Sequence, residues 1–199
     1  MFLSENSLIL AGEIIDTPAF SHETHDARFM RFSLNVERLS KVSDKITVLV
    51  REEALCEINA TVGDFVEIIG ELRSFNNKSG VGNRLVINAF VREIKKCERE
   101  YKNELKLCGV LCKSPVYRKT PLGREICDLM IAINRRYGRA DYLPCIVWGK
   151  NAHHASTFDV GDGVCILGRI QSREYIKTID DVSETRTTYE VSVSSIELQ

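Results

Sequence analysis

The sequence has almost no net charge, because its 27 Lys and Arg residues are balanced by 28 Asp and Glu residues, which leaves a formal charge of −1. A protein that neutralises many phosphates needs a basic surface, so this balance weighs against a nucleic-acid partner. The two halves differ, however. Residues 1–100 carry 13 basic and 16 acidic side chains, whereas residues 101–199 carry 14 and 12, so the objection is weaker for the second half.

Segments that would place the chain in a membrane or outside the cell are also missing. No apolar run approaches the roughly 18 residues that span a bilayer. The first residues, Met-Phe-Leu-Ser-Glu-Asn, lack the basic and apolar regions of a signal peptide. We therefore predict a cytoplasmic protein with no membrane partner.

The seven cysteines lack the spacing of a metal site. There is no Cys-x2-Cys pair, and Cys108 and Cys112, which have three residues between them on a predicted strand, lack a second pair of ligands. Most of the cysteines lie within apolar stretches. We predict reduced core thiols and no bound metal.

Motifs for catalysis are missing as well. There is no Gly-x4-Gly-Lys-Ser/Thr phosphate loop. His22 and His25 lie in a predicted polar turn. His153 and His154 are neighbours on a predicted helix, so their side chains point in different directions. Both pairs are interpreted as surface residues. We predict no enzymatic activity, no catalytic residue and no cofactor.

What the sequence does have is an internal repeat at an offset of 97 residues. Residues 6–12 match residues 103–109, and residues 32–36 match residues 129–133. The other matches are Pro18 with Pro115, Phe20 with Tyr117 and Arg38 with Arg135 and, after a one-residue slip, residues 62–64 with residues 160–162 and Gly70 with Gly168. The chain therefore contains two copies of one domain.

Each copy has the pattern of three strands, a short helix and two strands, separated by Gly and Pro turns. In the first copy we predict strands at residues 8–15, 28–38, 45–51, 64–75 and 83–94, with a helix at 52–59. In the second we predict strands at residues 105–113, 125–134, 141–148, 163–172 and 189–194, with a helix at 150–158 and a polar segment at 178–187. This order is typical of the five-stranded Greek-key barrel called the OB-fold. The fold class predicted is all-β, with two tandem OB-folds at residues 1–96 and 103–199, each with one helix between strands 3 and 4.

Aromatic rings with neighbouring cations lie at strand ends and turns of the second copy. If Leu143, Cys145 and Val147 point inward, Tyr142 and Trp148 point outward, because side chains alternate along a strand. Rings interleaved with cations suit single-stranded nucleic acid, since unpaired bases stack on the rings while cations contact the backbone. The predicted binding residues are Tyr137, Tyr142, Trp148, Tyr175, Arg135, Arg136, Arg139, Lys150, Arg169 and Arg173.

The alternative for each ring is ordinary packing, because aromatic residues in strands are more often part of a core. Ile146 would also point outward, which weakens the pattern. The Arg135-Arg136 pair is equally compatible with a solvated turn.

The second copy contains a series of stretches that carry a family pattern, at residues 109–115, 120–123, 132–137, 147–152, 161–170 and 186–191. Taken in order, they resemble the bacterial single-stranded DNA-binding proteins over nearly all of residues 103–198. This resemblance implies an OB-fold that binds single-stranded DNA without catalysis and serves replication, repair or recombination. It also implies that the stacking aromatics are Tyr137, Tyr142, Trp148 and Tyr175.

The first copy resembles that family only in outline. Its matching positions carry Ser40, Lys45, Arg51 and Asn77, with only Phe75 nearby. We expect it to serve assembly; the alternative is weak binding through Arg51, Arg73, Lys78 and Arg84. Family barrels typically assemble in fours, so the resemblance implies a homodimer that completes a four-barrel body. The family's acidic tail is not found after residues 196–199, so recruitment of replication or repair enzymes by that tail is not expected.

Two other functions fit the sequence. One is an OB-fold adaptor of a replication, restart or mobile-element complex, whose ligand is protein and which would show an exposed apolar patch. The other is an RNA-binding module, because unpaired bases are common to both nucleic acids. Competition between oligo(dT) and oligo(U) separates RNA binding from DNA binding.

Overall fold

A computed structural model describes residues 4–78, 82–135, 138–179 and 182–199. The chain forms two compact units, and each draws on separate stretches of sequence. We call Ser7–Arg73 with Asn88–Glu104 the N-terminal unit. The C-terminal unit consists of residues 4–6, Ser74–Ile87 and Leu105–Gln199. In the described part of the chain, no helix is long and apolar enough to cross a membrane.

Strands dominate both units, which confirms the all-β prediction. The first repeat contains β1 (Glu5–Ile14), β2 (Ala19–Thr24), β3 (Ala27–Glu37), β4 (Ser43–Arg51), α1 (Glu52–Glu57), β5 (Phe65–Asn76) and β6 (Leu85–Lys96). The second contains β7 (Lys102–Leu111), β8 (Val116–Lys119), β9 (Glu125–Asn134), β10 (Ala140–Trp148), α2 (Lys150–Ala155), β11 (Gly163–Ile179) and β12 (Val182–Leu198). Both helices end earlier than predicted.

Each repeat arranges its strands in the same order. The first has the order β2-β3-β4-β6-β5-β1, and the second has the order β8-β9-β10-β12-β11-β7. Both sheets close on themselves, because β1 also pairs with β3 and β7 also pairs with β9. The parallel pairings are also equivalent, β4 with β6 and β10 with β12. The repeat seen in the sequence is therefore a repeat of topology.

Glycines mark the places where strands of each closed sheet approach most closely. A Cβ at Gly12 or Gly109 would lie closer than 3.0 Å to a carbonyl oxygen of the strand that closes the sheet. The same holds for Gly70 and Gly168, against β6 and β12 respectively. Only a residue without a side chain fits these positions, which explains why the glycines match between the repeats.

A buried ion pair is repeated at the same offset. Arg38 lies 2.6 Å from Asp44, and Arg135 lies 2.7 Å from Asp141; both carboxylates are fully buried. A carboxylate is stable in such a place only when it accepts charged or backbone hydrogen bonds. Each pair therefore fixes the connection between two neighbouring strands of its sheet.

The charged linker between the repeats, residues 95–102, forms ion pairs with the N-terminal unit. Lys95 and Lys102 lie 2.7 Å and 2.8 Å from the two carboxylate oxygens of Glu67, and Arg99 lies 3.1 Å from Glu13. These ion pairs neutralise much of the linker's positive charge. The linker cations therefore hold the linker against the N-terminal unit.

Three sequence predictions need correction. Strands β2 and β8 were not predicted; both are short and pair at the edge of the sheet. The expected polar segment at 178–187 lies in the β11–β12 hairpin, which stays paired to Ile179 and Val182. The cysteines are not all reduced, since Cys108 and Cys165 form a disulfide across β7 and β11. These two are 57 residues apart and become neighbours only through strand pairing.

Candidate nucleic-acid interface

Two aromatic rings of β10 lie on the outer face of the C-terminal sheet. Along this strand Leu143, Cys145 and Val147 are buried, while Tyr142 is 45 % exposed and Trp148 is half-buried. Because side chains of a strand alternate, the two rings share the face that points away from the core. This is the arrangement that stacking on unpaired bases needs.

Trp148 is fixed on this face by a hydrogen bond. Its indole Nε1 donates to Ser192 Oγ over 3.2 Å, and Ser192 is directly opposite Arg169 on β11. Opposed residues of antiparallel strands share a face, so Arg169 and Trp148 lie on the same side of the sheet. Ile146 shares that side by register but is buried.

Strand β11 continues the face with residues at every second position. Arg169, Arg173 and Tyr175 alternate with side chains of the opposite side. Arg173 is exposed and lies 3.9 Å from Glu190 of β12. Tyr175 is 36 % exposed, and its hydroxyl donates to Asn83 Oδ1 over 3.0 Å. The hydrogen bond orients the ring and leaves part of it open.

A groove of about 320 Å³ lies on the same face. Its charged lining consists of Lys113, Arg118, Asp128, Arg173 and Glu190, and its apolar lining includes side chains of β9 and β10. The Arg118 guanidinium donates to both carboxylate oxygens of Asp128, at 2.5 Å and 3.2 Å. Sequence reasoning missed both cations of this groove: Arg118 lies on β8, a strand that it did not predict, and Lys113 shortly precedes that strand.

The remaining predicted residues have different surroundings. Arg139 and Lys150 are exposed. Arg135 is held by Asp141 and donates to Ser74 O over 3.0 Å, an arrangement that fixes the backbone. Two predicted residues, Arg136 and Tyr137, lie outside the described residues.

The matching face of the N-terminal unit lacks aromatic rings at these positions. Ser40 and Arg51 are exposed, and Lys45 lies 3.5 Å from Asp16. Arg73 lies over the Phe90 ring, 3.7 Å from its centre.

A carboxylate completes the Arg73 site. Burial tends to raise the pKa of Glu71, but hydrogen bonds and charge from Arg92 and Arg73 hold that pKa below its ordinary value. Arg73 is therefore engaged within its own unit.

Ionisable groups elsewhere in the described residues have individual surroundings. Burial raises the pKa of the Cys145 thiol, which keeps it protonated. Tyr117 and Glu125 both contact His153 at the surface, and the hydrogen bond from Tyr117 lowers the pKa of Glu125. Within the described ranges, no three His, Cys, Asp or Glu residues are grouped to hold a metal ion.

Comparison with known proteins shows the family of the second repeat. Residues 102–199 match the family described as the single-strand binding protein family. Single-stranded DNA-binding protein B of Bacillus subtilis (strain 168) is 34 % identical over 80 residues, which cover 37 % of this chain and 71 % of that protein. The chain belongs to the single-strand binding protein family. The resemblance predicted from the sequence is confirmed, and family members are DNA-binding proteins and not enzymes.

Other relatives extend the comparison. Single-stranded DNA-binding protein 2 of Listeria innocua is 36 % identical over 80 residues, covering 37 % of this chain and 50 % of that protein. The chain spans about half the length of such curated relatives. The wild-type single-stranded DNA-binding protein of Thermus aquaticus is 19 % identical, with a TM-score of 0.80 over 98 % of this chain and 93 % of that one. This likeness shows the fold, an all-β architecture consistent with the OB-fold.

Proposed function

We propose that the chain binds single-stranded DNA without catalysis and largely independently of base sequence. The observation that carries the proposal is the exposure of Tyr142 and Tyr175 within the segment that matches the family. Rings that are open to solvent on one face offer stacking surfaces to unpaired bases. A duplex keeps its bases stacked on each other, so it cannot use these rings.

Exposed cations of the C-terminal unit supply the backbone contacts. Arg139, Lys150, Arg169 and Arg173 are exposed in the C-terminal unit. We include Arg136 and Tyr137 in the proposed site on the family resemblance alone. Arg135 is given a positioning role, because its guanidinium is engaged with Asp141. Stacking contributes about 1–3 kcal/mol per base and tolerates any base, which suits binding without sequence preference.

We also propose that the two repeats are tandem OB-folds at residues 1–96 and 103–199. The matching strand orders, the parallel pairing of the third and fifth barrel strands, and the position of α1 and α2 after β4 and β10 support this. As a DNA-binding protein, the chain would act in the cytoplasm.

The proposed assembly is a homodimer whose barrels complete a four-OB body. Ile69 on β5 and Leu167 on β11 occupy equivalent positions of the two repeats, and they are 37 % and 50 % exposed. Ile69 is directly opposite Ile9, so the N-terminal unit offers an apolar strip on its outer face. Exposed apolar positions repeated in this way suit contact with a second copy.

The sole tryptophan makes the function measurable. We expect single-stranded oligo(dT) to quench Trp148 fluorescence to saturation, and duplex DNA of equal length to leave it unchanged. If oligo(U) displaces bound oligo(dT) in competition, so that it binds more tightly, the site would be assigned to RNA. No quenching at low salt by either single strand would contradict nucleic-acid binding and favour the adaptor function.

A further inference from the structure

One hairpin of the first repeat belongs to the C-terminal unit. It comprises Ser74–Ile87, the end of β5 and the beginning of β6. Sequence reasoning placed its cations, Lys78 and Arg84, in a weak site on the first barrel only as the alternative to an assembly role. Their place in the C-terminal unit gives them a different role.

The hairpin is anchored beside the first residues of β10. Ser74 N donates to Asp141 Oδ1 over 2.6 Å, and Tyr142 N donates to Ser74 Oγ over 2.7 Å. Arg135 adds a third hydrogen bond, from Nη2 to Ser74 O over 3.0 Å. Ser74 and Asp141 are both buried. Hydrogen bonds to a buried carboxylate are strong, so this junction has a fixed geometry.

The anchor brings an additional aromatic residue to the proposed interface. Phe75 follows Ser74 and is 52 % exposed, and Tyr142 follows Asp141 and is exposed to a similar extent. The two rings therefore extend from neighbouring points of one hydrogen-bonded junction. Phe75 matches Arg173 of the second repeat and not one of its aromatics, so the repeat alone would not identify it.

Asn83, in the described part of this hairpin, lies along the same interface. Asn83 accepts the hydrogen bond from the Tyr175 hydroxyl, and its side-chain amide donates to Thr187 O. Lys78 and Arg84 are exposed. Neither makes an ion pair with a residue that the structure describes, so both are available to phosphates.

We propose that this hairpin is part of the single-stranded DNA interface, with Phe75 as a further stacking residue and Lys78 and Arg84 as backbone contacts. The inference rests on the function proposed above. It makes the binding surface a product of both repeats. A strand whose bases stack on Tyr142 meets Phe75 next, because the shared hydrogen bonds are made by Tyr142 itself and by Ser74, the residue before Phe75.

The test is a titration of the full chain with oligo(dT), followed by Trp148 fluorescence. Phe75→Ala is expected to raise the Kd about five- to a hundredfold, as loss of one stacked base does. Phe75→Tyr keeps a ring and is expected to bind like the unchanged protein. The matched control is Phe20→Ala, which removes a ring that is 53 % exposed in the N-terminal unit, and we expect no change in Kd.

The outcomes separate the two proposals. If the unchanged protein fails to bind, the proposed function and this inference both fall. If it binds and Phe75→Ala binds equally well, only the hairpin's role is refuted. An independent variant, Phe75→Trp with Trp148→Phe, avoids any effect of truncation on folding. Oligo(dT) is expected to quench its new indole, and an unquenched indole in a protein that binds DNA would refute the inference.

Discussion

At the scale of single residues, hydrogen-bonding partners distinguish the side chains that can meet DNA from those that hold the fold. Tyr142 and Tyr175 are exposed rings on the outer face of the C-terminal unit. Arg135, one of the predicted binding residues, is held instead by the fully buried Asp141. Composition and spacing cannot make this distinction, because Arg135 and Arg139 look alike in the sequence.

Removing either exposed tyrosine ring should weaken DNA binding. Tyr142→Ala and Tyr175→Ala are each expected to lose about 1–3 kcal/mol of binding free energy for oligo(dT), because one stacked base loses its partner. Tyr175→Phe loses only the hydrogen bond to Asn83 and should bind nearly as well. Fluorescence titration measures all three. Alanine variants that bind like the unchanged protein would show that these rings only pack.

Replacing the buried Asp141 should reduce stability more than replacing Asp128, a carboxylate on the neighbouring strand. Asp141→Asn removes the charge that Arg135 and Ser74 contact, and we expect it to lower the free energy of unfolding by about 3 kcal/mol. Asp128→Asn breaks a more exposed pair with Arg118 and should cost less than about 1 kcal/mol. Urea unfolding compares the two, and equal losses would contradict the structural role of Asp141.

At the scale of elements, the sequence predicted what is periodic and missed what depends on pairing. The strand cores, the two helices and the repeat follow from apolar alternation and from glycines such as Gly12 and Gly109. Strands β2 and β8 have mostly exposed side chains, so alternation does not mark them. The disulfide and the placement of the Ser74–Ile87 hairpin depend on which distant segments meet.

The linker gives a pH-dependent prediction. Hydrogen bonds from Lys102 and Lys95 lower the pKa of Glu67 below its ordinary value of 4.5. A carboxylate with a lowered pKa stabilises the fold above its unfolded-state pKa, and this contribution is lost as the pH falls below it. Glu67→Gln should therefore lower the free energy of unfolding by up to about 1 kcal/mol at pH 7, with the difference shrinking below pH 4.5.

The control for this prediction is Glu57→Gln, since Glu57 is exposed and makes no ion pair with the described residues. It should change stability little at either pH. Urea unfolding of each variant and of the unchanged protein, at pH 7 and below pH 4.5, provides the comparison. If the loss of unfolding free energy caused by Glu67→Gln became larger at low pH, the pKa of Glu67 could not be lowered in the folded state, and the prediction would be wrong.

At the scale of the whole molecule, one chain supplies two sheets with the same topology and different surfaces. The C-terminal unit presents exposed rings and cations on one face, while charged groups of the N-terminal unit, such as Arg73 and Glu71, are engaged with each other. The sequence predicted this difference in surface, because the first repeat lacks aromatic residues at the matching positions. It did not foresee that part of the first repeat lies in the C-terminal unit.

Self-association should depend on the equivalent apolar positions. Leu167→Lys and Ile69→Lys place a charge where the proposed homodimer would bury an apolar side chain, so we expect each to shift the chain toward monomer. Leu122→Lys changes a highly exposed leucine in a turn and should leave the assembly unchanged. Light scattering coupled to size exclusion gives the mass of each. An unchanged dimer in both variants would place the interface elsewhere.

Photochemical cross-linking to DNA tests most directly whether bases stack on the outer face of the C-terminal unit. Oligo(dT) containing 5-bromodeoxyuridine is irradiated with the full chain, and the linked peptides are identified by mass spectrometry. We predict adducts at Tyr142, Trp148 or Tyr175. Adducts confined to residues of the N-terminal unit, with none at these three rings, would contradict the account.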